Sequence, residues 1–108
     1  MKSNMRKLFD ETVEITKIKN HGLALHMTKC MEELGELTQS VNRTLGNKQR
    51  KITDTDKSIR ENVLEESADT FQCLISIMSD YNITYDELKE ALTKKNKKWL
   101  NQINEIQK

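Results

Sequence analysis

The chain is expected to fold as an all-α protein, a four-helix bundle whose core is completed by oligomerisation. Three observations predict this. There is no proline and there are only three glycines in 108 residues, so little in the chain interrupts a helix. Apolar residues recur at three- and four-residue spacing, the period of an amphipathic helix. Hydrophobic residues make up 35% and aromatics 5%, too little apolar volume for a lone subunit to offset the entropy of ordering its backbone. An oligomer of one 108-residue domain is therefore expected.

The first helix is expected over about Asn4 to Lys19, with Leu8, Val13, Ile15 and Ile18 in an irregular amphipathic pattern. The second runs from about Leu23 to Leu45, where Cys30, Leu34, Leu37, Val41 and Leu45 form one stripe and Gly46 is a plausible stop. A polar, locally basic connection follows, GNKQRKITDTDK (46–57). The third helix is expected to begin near Ser58, which has capping-box spacing to Glu61, and to reach Asp80. Its segment FQCLISIM (71–78) is apolar on nearly every side, which predicts the most enclosed of the four helices. The fourth begins at Thr84, whose TYDE also fits a capping box, and continues through Leu88, Ala91, Leu92, Trp99 and Ile103. The short YNI connection predicts that the third and fourth helices pack antiparallel.

Eighteen basic against 17 acidic residues leave a net charge of +1, which argues against a general nucleic-acid binder. Cys30 and Cys73 stand alone without CxxC spacing, so buried free thiols are expected rather than a disulfide framework or a zinc site. MKSNMRKLFDE lacks the apolar run of a signal peptide, and no apolar stretch approaches membrane-spanning length. A soluble cytoplasmic protein without a membrane partner is expected.

The carboxylates carry the chemical signal. At about 100° per residue, Glu33 lies roughly 80° from the middle of the second helix's stripe and Glu36 about 140° on the same side, with Lys29 between them. On the third helix Glu66 falls in line with Ile59, Cys73 and Ile77, an apolar row distinct from Leu64, Phe71, Leu74, Ile75 and Met78. Asp69 sits about 60° from Glu66, one turn on. If the two helices pack antiparallel, Glu33, Glu36, Glu66 and Asp69 converge. As free anions they would repel and resist desolvation. Lys29 supplies one positive charge, and a hard divalent cation such as Mg²⁺, which takes oxygen ligands, supplies two. Any one acid pair of this kind is more often solvated surface; two pairs, each beside an apolar row, shift the balance toward a metal site.

MEELGEL (31–37) followed by LEESAD (64–69) resembles the EExxE and ExxD signature of the MazG-like nucleotide pyrophosphohydrolases, members of the all-α NTP pyrophosphatase superfamily. The resemblance covers about Leu23 through Trp99. It implies a Mg²⁺-dependent (or Mn²⁺-dependent) hydrolase that splits a canonical or modified nucleoside triphosphate into the monophosphate and pyrophosphate, as a dimer or tetramer. By position it implies Glu33, Glu36, Glu66 and Asp69 as metal ligands, and Glu32 either as a group behind the ligands or as the one that orients and deprotonates the attacking water. Lys29 fits the basic residue ahead of EExxE. In KKNKKW (94–99), Lys95, with Asn96 and Lys98, would face phosphate, although Trp99 stands where the family has Arg. The gap between Glu36 and Glu66 is also long for the family.

Other readings use the same residues. His26 and Cys30 are four apart, but no complementary pair accompanies them, so a core or surface role is preferred to a metal site. His21 is expected to be exposed. KKNKKW also reads as a solvated helix end with cations favourably placed late in the helix. Phe71, Trp99 and Met27, Met31 and Met78 are expected to pack in the core. Outside enzymes, the alternative is a helical interaction module, such as a small regulator that dimerises through its apolar faces and binds nucleic acid by the fourth helix; within them, a phosphoribosyl-ATP pyrophosphohydrolase-like enzyme.

Overall fold

The computed structural model describes residues 3–45 and 57–106, and these form four α-helices with no strand among them. Helix α1 spans Asn4–Ile18, α2 Leu23–Leu45, α3 Lys57–Asp80 and α4 Tyr85–Ile106. The expected connection at 46–56 lies outside the described residues.

The helix ends follow from local chemistry. Ser3 caps α1, its Oγ accepting from the Arg6 N–H at 3.1 Å. Between α1 and α2 the chain turns at Gly22, whose φ of +88° suits a residue without Cβ. At the end of α3 the N–H of Ile83 donates to the Met78 carbonyl and that of Asn82 to the Ser79 carbonyl. With Asn82 left-handed at φ 56°, this is a Schellman stop in which Asn replaces the usual Gly. At α4 the expected capping box is present: the Glu87 N–H donates to Thr84 Oγ1 at 3.2 Å and the Thr84 N–H to Glu87 Oε1 at 3.1 Å. The expected cap at Ser58 is not, because α3 begins at Lys57 and Ser58 already lies within it.

Helices α2 and α3 pair antiparallel, and α1 lies against α3. Where the start of α2 meets the end of α3, His26 Nδ1 lies 2.6 Å from Asp80 Oδ2, both side chains largely buried. The hydroxyls of Thr16 and Ser76, 2.9 Å apart, join α1 to α3.

Helix α4 departs from the expected bundle. It touches α1 and, among the described residues, neither α2 nor α3. Its first turn is the reason. Arg6 forms an ion pair with Asp86 and stacks 4.9 Å from the Tyr85 ring centroid. Phe9 meets Tyr85 edge-on with centroids 5.7 Å apart, a favourable aromatic geometry. Beyond Leu88 every described residue of α4 is exposed, Trp99 at 66%.

The core also differs from expectation. Phe9 is the one buried hydrophobic residue among those described; the others are polar, namely Thr16, His26, Glu33 and Ser40. On α2 the line meeting α3 is His26, Glu33 and Ser40, flanked by half-buried Cys30 and Leu37. Leu34 and Val41 of the expected stripe remain exposed. On α3 the row of Ile59, Glu66, Cys73 and Ile77 faces the partner helix, while Leu64, Phe71 and Leu74 point outward. Thus α3 is not fully enclosed, and Phe71, Trp99, Met27 and Met31 are not core residues within one chain.

Candidate metal centre

The sequence repeats one spacing on two helices, and the pairing converts it into a cluster. Glu33 and Glu66 sit on the lines along which α2 and α3 face each other. Each is followed three residues later by a second acid, Glu36 and Asp69, at the same angular offset of about 60°. An antiparallel pair has a local two-fold relation, so equal offsets fall on one side of it. Carboxylate oxygens of Glu33, Glu66 and Asp69 accordingly lie within 4.8 Å of one another. Glu36 is not one of these three, but it is the neighbour that acts most strongly on the Glu66 carboxyl.

The electrostatics of the two central acids diverge. Glu33 is buried, yet the Lys29 ammonium 2.9 Å from its Oε1 holds its carboxyl below the usual range against the opposing cost of burial. Among the described residues no such cation is paired with Glu66. Its hydrogen bond with Glu36, then desolvation, then the charges of Glu36, Glu33 and Asp69 push it up to about 7. A carboxyl titrating near neutrality gives up its proton readily when a divalent cation competes for its oxygens.

The residues fit a hard divalent ion. Glu33 Oε2 and Glu66 Oε2 are both buried and both lack a hydrogen-bond partner, whereas buried acceptors are normally satisfied. Two bare carboxylate oxygens beside a third acid form the oxygen-only donor set that Mg²⁺ or Mn²⁺ takes. A soft ion is disfavoured, since the Cys73 thiol nearby is pushed up by burial, then by the charge of Glu33.

Of the other expected site residues, Lys29 is in place. Glu32 is exposed, its carboxylate 4.0 Å from the Lys29 ammonium on the open side of the cluster. Lys95, Asn96 and Lys98 are exposed on α4, which does not approach α2 or α3, so the chain alone does not bring them to the acids. The His26–Asp80 pair was not anticipated. Its signal was available, because His26, Glu33 and Ser40 are seven residues apart and share one line of α2.

No family model matches the chain, and no solved structure matches it. It is similar to the uncharacterized protein YpjD of Bacillus subtilis (strain 168), with 33% identity over 69 residues. That alignment covers 64% of this chain, which spans 59% of the relative's length.

Proposed function

We propose that this chain is a Mg²⁺-dependent nucleoside triphosphate pyrophosphohydrolase of the MazG-like type, active as a homo-oligomer and releasing a nucleoside monophosphate and pyrophosphate. One observation carries the reading: the acids of EExxE and ExxD meet in a cluster with two buried carboxylate oxygens that have no partner. In this reading Glu33, Glu36, Glu66 and Asp69 hold the metal. When bound, it supplies Lewis-acid charge toward phosphate oxygens and renders a bound water more acidic.

The chain's own groups divide the remaining work. Lys29 keeps Glu33 ionised and ready to ligate. Glu32, exposed beside Lys29, is free to orient a water and take its proton. No nucleophilic Ser or Cys with a base partner is needed, because water is the attacking group. Lys95, Asn96 and Lys98 offset pyrophosphate charge only if α4 of a second copy brings them to the acids.

The test is a pyrophosphate-release screen over ordinary and modified nucleoside triphosphates with Mg²⁺. The reading expects turnover that chelator abolishes. Its absence for every triphosphate would favour the helical interaction module.

A further inference from the structure

The two thiols of the chain take no part in the proposed chemistry, yet they stand on the two helices that form its site. Cys30 and Cys73 are both free and half-buried. Cys73 belongs to the α3 row that faces α2, and Cys30 lies about 60° round from Glu33, at the edge of the α2 line that faces α3. Their heights along the seam follow from the contacts on either side. His26 meets Asp80, and Glu33 meets Asp69. Position 30 falls between 26 and 33 on α2, and interpolation along the antiparallel α3 places it opposite about residue 74. Cys73 therefore stands at the level of Cys30, across the seam. The electrostatics agree with that placement: burial, then the charges of Glu33 and Cys30, push the Cys73 thiol up, while Lys29 acts in the opposite sense.

We infer that Cys30 and Cys73 form a reversible oxidation site, the two sulfurs joining as a disulfide when a peroxide reaches the α2–α3 seam. Cys30, at the edge of the seam, meets the oxidant first. With hydrogen peroxide its sulfur attacks one oxygen, the O–O bond breaks, and a sulfenic acid and one water result. The Cys73 sulfur then displaces the hydroxyl: the S–S bond forms as the S–O bond breaks, and the hydroxyl leaves with the Cys73 proton as a second water. The thiols give up two electrons in all, and the peroxide takes both. Burial makes Cys73 slow toward a free oxidant, but its role here is to attack a sulfur held beside it. A soft metal fits the pair less well, because His26, four residues before Cys30, is engaged by Asp80. Among the described residues the group of three metal-ligating side chains that does converge is Glu33, Glu66 and Asp69, which offers oxygen alone.

The bond is a staple made on demand, a use of cysteine distinct from a permanent disulfide framework. It closes a loop of about forty residues, which restricts the unfolded chain far more than the folded one. Cys30 precedes Glu33 by three residues and Cys73 follows Asp69 by four, so the staple ties α2 to α3 one turn from the acids. It rests on the pairing of α2 with α3 and uses none of the metal chemistry.

Two measurements on the full wild-type chain test it. Equilibrated with reduced and oxidised glutathione, the folded chain is expected to form the Cys30–Cys73 disulfide, read by mass as a linked peptide pair. Its effective concentration should be at least about thirtyfold above that of the same chain in denaturing urea, the ratio implied by a native disulfide of ordinary strength. With one equivalent of hydrogen peroxide, the folded chain is expected to lose both thiols together and to give the same linked peptides. A smaller ratio would overturn the inference. So would a folded product that is a glutathione adduct, a disulfide between chains, or a sulfinic acid beside a free thiol. None of these results bears on whether the acids bind metal.

Discussion

In the absence of divalent ions, raising the pH through neutrality should weaken the fold, and Mg²⁺ should reverse the loss. The Glu66 carboxyl is held up to about 7 in the folded chain, against about 4.3 for an unperturbed glutamate. Between those values the folded chain binds a proton that the unfolded chain has released. Stability from this group is therefore complete at acid pH and is lost as pH rises through 7. Glu33, held down by Lys29, acts in the opposite sense at the acid end, where falling pH removes its contribution. A divalent ion needs Glu66 as carboxylate, so it competes with the proton. With a value of about 7, roughly 90% of the group is ionised at pH 8 but only about 3% at pH 5.5, which weakens apparent metal affinity about thirtyfold. An ion concentration 100-fold above Kd at pH 8 stabilises the fold by about 2.7 kcal/mol. For a domain near 100 residues this raises Tm by roughly 10–20 °C. At pH 5.5 the same concentration is only about threefold above Kd, and the gain falls to about 0.8 kcal/mol. Scanning calorimetry at both pH values, at constant ionic strength, reads the difference directly. Glu66→Gln should flatten the apo slope between pH 5 and 7.5. Equal Mg²⁺ shifts at the two pH values, or a larger one at pH 5.5, would refute the reasoning.

Glu36→Gln and Asp69→Asn should each abolish pyrophosphate release while leaving the far-ultraviolet circular dichroism of the helices unchanged; full activity in either removes that residue from the site. Phe9→Ala deletes the one buried aromatic among the described residues and its edge contact with Tyr85, and should cost about 3–5 kcal/mol in urea unfolding. It should also release α4 from α1, seen as faster amide exchange in the first turn of α4. His26→Ala strips Asp80 of its partner in a largely buried position, for a loss of about 1–3 kcal/mol. That loss should appear without any change in metal affinity, because the pair lies two turns from the acids.

The helices were legible because their signals are local. Capping at Thr84, the turn after Asp80 and the long runs without proline or glycine each act within a few residues, and all three reappear in the structure. The convergence of Glu33, Glu66 and Asp69 was legible as well, since angular arithmetic on two helices needs only their antiparallel pairing. What could not be read was which of two apolar rows each helix would turn inward. Leu34 and Val41 on α2, and Phe71 on α3, make the stronger hydrophobic stripes, yet both helices face each other with the rows that hold Glu33 and Glu66. Periodicity ranks rows by hydrophobicity; it does not assign them to different neighbours. The placement of α4 was missed for a related reason. The short connection limits distance but not direction, and the Arg6, Phe9, Tyr85 and Asp86 contacts that set the direction join residues about eighty positions apart.

Binding of Mn²⁺ to the folded protein, followed by loss of the free-ion electron paramagnetic resonance signal, tests most directly whether the two acid pairs form one cation site. Wild-type protein at pH 8 should deplete the free-ion signal, and Glu33→Gln and Asp69→Asn should each weaken that depletion by at least about tenfold. Equal depletion by the wild type and both variants would contradict a site shared between α2 and α3.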